Sequence, residues 1–138
     1  MTAVAYPSFA RRYFGMLIDV LTMLFIVGAI IKSGWIIVDL NSGFLLFVLL
    51  AATYDPLLTI YGATLGQFLM RFRMRNRSDG RRISILHGYL RFAIKSTLGA
   101  LSLVTVATRK DRRTLHDMAA ETIALNAGDA AIHASVPR

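Results

Sequence analysis

YFGMLIDVLTMLFIVGAII, residues 13–31, decides the fold, because a single charge, Asp19, interrupts an otherwise apolar run of nineteen residues. As an α-helix rising about 1.5 Å per residue, a run of this length crosses the ~30 Å hydrocarbon core of a bilayer. Arg11 and Arg12 stand directly before it, an arrangement that also suits a secretory leader. The run is longer than a usual leader core, however, and ends in IIKSGW without a small-residue cleavage pattern. It is read as a retained span with its N-terminus in the cytoplasm.

Composition supports that reading. The 138 residues are 55% hydrophobic and only 17% charged, with a net charge of +8. A soluble domain of this size could not hide so much apolar surface, and charges gathered into blocks between apolar runs are the pattern of membrane spans with charged loops. The length suits one domain, taken as residues 1–127 with a frayed tail at 128–138. The absence of cysteine excludes disulfides, thiolate nucleophiles and cysteine-ligated metals.

A second apolar run, GFLLFVLLAATYDPLLTIY (43–61), follows a short loop carrying Trp35, a residue suited to the outer interface. It too has one acid, Asp55, beside Pro56, which frees the carbonyl of residue 52 and favours a kink. Beyond it comes RFRMRNRSDGRR (71–82), six arginines in twelve positions. Arginine alternates with Phe72, Met74 and Asn76 ahead of Asp79-Gly80, so period two across a D-G turn predicts a cytoplasmic β-hairpin over about 71–86.

The third apolar stretch, about 88–108, carries Arg91 and Lys95 and is followed by the basic RKDRR. A complete crossing would put four basic residues on the outer face, against the positive-inside tendency. The stretch is therefore read as a kinked, interfacial or re-entrant helix bent near Gly99, with a full third span as the alternative. Thr114 and Asp117 resemble a capping box, and the apolar stripe after them predicts an amphipathic surface helix over about 113–125. The fold class is thus an all-α membrane protein with two to three transmembrane or re-entrant helices, a short hairpin and a C-terminal amphipathic helix.

Each apolar segment carries one polar, small-residue stripe at helical spacing: Ser8, Arg12, Gly15, Asp19 and Thr22; Ala52, Asp55, Thr59 and Gly62; Arg91, Lys95, Gly99, Ser102 and Thr105. Asp19 and Asp55 fall at similar depth, with Arg91 and Lys95 placed to meet them. An unpaired charge in hydrocarbon costs at least ~2.5–3.5 kcal/mol, and opposite charges at one level offset that cost. Two roles fit: structural ion pairs that lock the helices, or a proton- or cation-handling site.

R-x-x-G-x-x-I-D at Arg12–Asp19, G-A-T-L-G-Q at Gly62–Gln67, the D-G turn, Leu90-Arg91 and L-H-D-x-x-A-x-T at Leu115–Thr122 together resemble the RDD family of small bacterial membrane proteins. By motif position the family's arginine and two aspartates correspond to Arg12, Asp19 and Asp117. The resemblance implies a bacterial inner membrane and a tail that returns to Arg12 on the cytoplasmic side. It also implies transport, with sodium/proton exchange proposed for some members. Two positions depart from the family pattern: Gln67 stands where lysine is usual, and Glu121 stands where glycine is usual.

The expectations for function are therefore a transport or ion-handling component acting through intramembrane carboxylates, or a non-catalytic scaffold or accessory subunit whose buried charges hold the fold. The transport reading requires a homo-oligomer or a partner membrane subunit, since two or three helices cannot enclose a pathway, and the scaffold reading expects such a partner as well. No enzyme activity, cofactor or metal is expected, because His116-Asp117 lacks the further ligands a metal site needs. Arg71, Arg73, Arg75, Arg77, Arg81 and Arg82 are assigned to anionic lipid headgroups, at ~1 kcal/mol per basic residue near the surface, rather than to nucleic acid.

Overall fold

The computed structural model describes residues 6–34, 39–98 and 114–129. Two long helices dominate it, α1 (Phe9–Lys32, 24 residues) and α2 (Leu40–Tyr61, 22 residues), each long and apolar enough to cross a membrane. At 1.5 Å per residue they measure about 36 and 33 Å. Ser8 caps α1 by accepting from the Arg11 N–H, and Asp39 caps α2 by accepting from the Ser42 N–H.

The burial pattern of α1 inverts that of a water-soluble helix. Its inward face is Arg12, Gly15, Asp19, Met23 and Val27, while Phe14, Leu21, Leu24 and Phe25 are exposed, Phe25 by 77%. On α2, Phe44, Leu45 and Leu49 are likewise exposed, and Asp55 and Thr59 are buried. Hydrocarbon solvates the outer apolar residues, and the polar stripes satisfy one another inside.

Short elements gather at the end where α1 begins and α2 ends: α3 (Leu65–Leu69), β1 (Phe72–Asn76), α4 (Ile85–Leu98), α5 (Leu115–Ala119) and β2 (Thr122–Asn126). Phe72, Met74, Ile83 and Ala124 form the small apolar core there. Arg11 pins α1 to it, donating to Asn126 Oδ1 at 2.9 Å and to the Met70 carbonyl at 2.6 Å. Close packing also sets the helix spacing. A Cβ on Gly66 would collide with the Gly15 carbonyl, and one on Gly88 would meet Ile60 at 2.9 Å, so α3 lies directly on α1 and α4 directly on α2.

Three expectations are corrected. The 71–86 segment does not form a local hairpin: β1 pairs antiparallel with β2, Phe72 opposite Asn126 and Asn76 opposite Thr122. Asp79-Gly80 does turn the chain, with Gly80 at φ +68°, but Ile83 then drops into the core and α4 starts at Ile85. Period-two alternation reports a strand and says nothing of its partner. Second, the helix expected over 113–125 lasts only from Leu115 to Ala119, because Thr122–Asn126 completes the sheet. Third, α4 begins three residues earlier than the expected 88. The bend near Gly99, the question of a third span, Trp35 and residues 130–138 lie outside the described residues.

Residues 64–76 and 114–126 build one unit twice, fifty positions apart. Each has a fully buried threonine N-cap, a five-residue helix, a left-handed residue (Arg71 at φ 52°, Glu121 at φ 47°) and a five-residue strand. The hydrogen bonds match: Ala127 N–H donates to the Arg71 carbonyl at 3.0 Å, and Arg77 N–H to the Glu121 carbonyl at 2.9 Å. Met74 lies opposite Ala124, its own counterpart, so a local two-fold axis passes through the centre of the sheet.

The glycine that the RDD resemblance places at position 121 now has a physical reason. A side chain in the left-handed region costs on the order of 1 kcal/mol, and Glu121 is exposed. Glu121→Gly is expected to raise stability by about 1 kcal/mol, a thermal midpoint a few degrees higher in detergent. A lowered midpoint would show that the glutamate makes a compensating contact.

Candidate functional site

The polar stripes converge on a buried network of three acids and three bases. Asp117, on α5, is fully buried and stands between two guanidinium groups: Arg12 Nη1 at 2.5 Å from Oδ2 and Arg91 Nη1 at 3.5 Å from Oδ1. Thr114 completes the reciprocal capping box, and Thr122 Oγ1 lies 3.5 Å from Oδ1. Burial opposes ionisation of Asp117, but Arg12 and Arg91 outweigh it and hold the carboxyl well below the usual carboxylate range.

Asp55, expected to share Lys95 and Arg91 with Asp19, takes Lys95 alone as its ion-pair partner among the described residues, Nζ at 2.7 Å from Oδ1. Gly88, Arg91 and Lys95 share one face of α4, so the close approach at Gly88 is what brings Lys95 to α2. Asp19 is met instead by neutral donors: Thr64 Oγ1 at 2.7 Å, the Gly66 N–H at 2.8 Å and the Tyr54 hydroxyl at 3.2 Å. It therefore serves the N-terminus of α3 from outside, as Asp117 serves that of α5 from within. The glycine contact between α1 and α3 makes this reach possible.

Gln67, at the position of the family's lysine, donates to Thr59 Oγ1 at 3.0 Å. It is the counterpart of Asp117 in the first unit. A cavity of about 30 Å³ lies among Arg12, Asp19, Gln67, Arg91, Lys95 and His116. Around it, Arg12 Nε and Nη2, Arg91 Nε and Gln67 Oε1 have no hydrogen-bond partner among the described residues. The space fits one or two waters, able to accept from the guanidinium groups and donate to Gln67. Among the described residues, no group of three or more histidines and acids could hold a metal ion.

The remaining predicted residues are dispersed. Arg71, Arg77, Arg81 and Arg82 are exposed, and Arg73 and Arg75 are half-buried along β1. Tyr54, Thr64, Gly66 and His116 were not singled out from sequence as members of the network. The available signal was the spacing of Thr64-Leu65 and Thr114-Leu115, which marks two equivalent caps.

Two apolar helices of spanning length, turned so that their charges face inward onto a shared network, define a small integral membrane protein. The chain matches the RDD family over residues 6–121 and belongs to that family. No curated protein and no solved structure gives a significant match.

His116 makes the network sensitive to acid. Burial lowers its pKa from 6.5 to about 3; Asp117 pulls it up, and Arg91, Lys95 and Arg12 push it down. The folded protein thus holds His116 neutral, while the unfolded chain takes up a proton near pH 6.5. Its contribution to stability is complete above that pH and is lost as pH falls from 6.5 towards 3, by up to ~1.4 kcal/mol per pH unit. Asp117, held low, adds a second loss below about pH 4. Thermal midpoints of wild type should fall from pH 6.5 downwards, whereas His116→Gln should stay flat to about pH 4 and then drop. Identical curves would show that His116 titrates normally.

Proposed function

We propose that the chain is a non-catalytic membrane scaffold or accessory subunit whose buried charges hold the fold. The observation that carries this reading is that every acid of the network is answered by the protein itself: Asp117 by Arg12 and Arg91, Asp55 by Lys95, and Asp19 by Thr64, Gly66 and Tyr54. A resident cation would have to displace those partners, and the adjoining 30 Å³ has room for one or two waters.

The arginine-rich end is the cytoplasmic one in this reading, with both span ends on that side of a bacterial inner membrane. The exposed apolar faces of α1 and α2 are then available to lipid, to a second copy or to a partner subunit.

A second reading, an ion-handling component, is favoured by one observation: the cavity touches both Asp19 and Lys95. Proteoliposome cation and proton flux, compared for wild type and Asp19→Asn, separates the two. The scaffold reading expects flux at the level of empty liposomes in both, with a lower folded yield for Asp19→Asn. Flux in wild type that is lost in a folded Asp19→Asn protein would overturn it.

A further inference from the structure

We propose that the groove between α3 and β1 is a binding site for one anionic phospholipid. The groove has a volume of about 420 Å³ and is lined by the apolar Phe68, Leu69 and Phe72 together with Arg71 and Arg73. That volume is in the range of small-molecule sites, and the pairing of an apolar wall with two fixed cations matches a phosphate attached to acyl chains. Among the described residues, neither arginine has an acidic side chain within ion-pair distance.

Position supports the same ligand. Arg73 Nη1 lies 3.3 Å from where a Cβ on Gly62 would stand, so its guanidinium sits against the end of α2, where a spanning helix meets headgroups. Tyr61 and Phe68 are exposed at that level, by 70% and 63%, as aromatic side chains are at a membrane interface.

The second unit supplies an internal control. Its backbone repeats that of the first, yet Ala119, Glu121 and Ile123 occupy the positions of Leu69, Arg71 and Arg73. The fold therefore does not need the arginines. Arg71 even holds a left-handed φ of 52° that glycine would adopt more easily. The apolar shelf beside the two arginines points to lipid rather than free phosphate.

The test uses the whole protein in nanodiscs of phosphatidylcholine with or without phosphatidylglycerol, reading lipid retained by native mass spectrometry and the thermal midpoint. Wild type should retain phosphatidylglycerol roughly thirtyfold over phosphatidylcholine, the scale expected from two basic residues at the surface. Arg71→Gly combined with Arg73→Gln should abolish that preference, while Arg81→Gln with Arg82→Gln should leave it intact. Arg71→Gly alone should weaken the preference without lowering the midpoint in phosphatidylcholine, which separates binding from folding. Phe68→Ser should weaken retention as well. A preference that survives the first double variant, or falls equally in the second, would overturn the site in favour of diffuse surface charge. A midpoint shift from inorganic phosphate equal to that from phosphatidylglycerol would overturn the lipid assignment.

Discussion

Asp117 sits fully buried between Arg12 and Arg91, and the rest of the molecule is arranged so that these three can meet. The contact joins residues 105 positions apart, linking the first turn of α1 to the tail. Neither arginine could be buried without the carboxylate, and the carboxylate could not be buried without them, since removing one member of such a set typically costs 3–5 kcal/mol. The lock also determines where β2 lies, because α5 leads directly into it, and β2 in turn covers the core at Phe72 and Met74.

Around that lock the chain uses one device twice. Both helix–turn–strand units bury a threonine cap and each has a carboxylate at the N-terminus of its short helix: Asp19 for α3 and Asp117 for α5. The units then diverge where the surroundings differ. Gly66 is bare so that α1 can approach, whereas its counterpart His116 fills space beside Arg91 and Lys95. Arg73 sits against the end of a spanning helix, and Ile123 takes its position in the second unit. A shared backbone thus carries a charge lock on one side of its axis and a basic groove on the other.

The spans and their polar faces were legible in the sequence because hydrocarbon imposes a length and a period on a helix. Arg12, Asp19 and Asp55 all fell on inward faces as their spacing required. Partner choice was less legible. The pairing of Asp55 with Lys95 depends on Gly88 admitting α4 against α2, and Asp19 finds Thr64 and Gly66 through a loop whose path no periodicity records. The sheet was misjudged for the same reason. Alternation in 72–76 marks a strand, but a partner fifty residues on is a long-range fact, and Thr122–Asn126 carries both a helical stripe and a strand pattern until β1 decides between them.

The claim that the Arg12–Asp117 contact closes the fold is tested most directly by a double-mutant cycle, Arg12→Met and Asp117→Leu, followed by denaturation in mixed micelles. Asp117→Leu strands both Arg12 and Arg91, and the double variant removes the Arg12 charge while Arg91 is left the same in both. The lock predicts a double variant more stable than the Asp117→Leu single, with a coupling of about 2 kcal/mol or more. Effects that simply add, within about 0.5 kcal/mol, would contradict it.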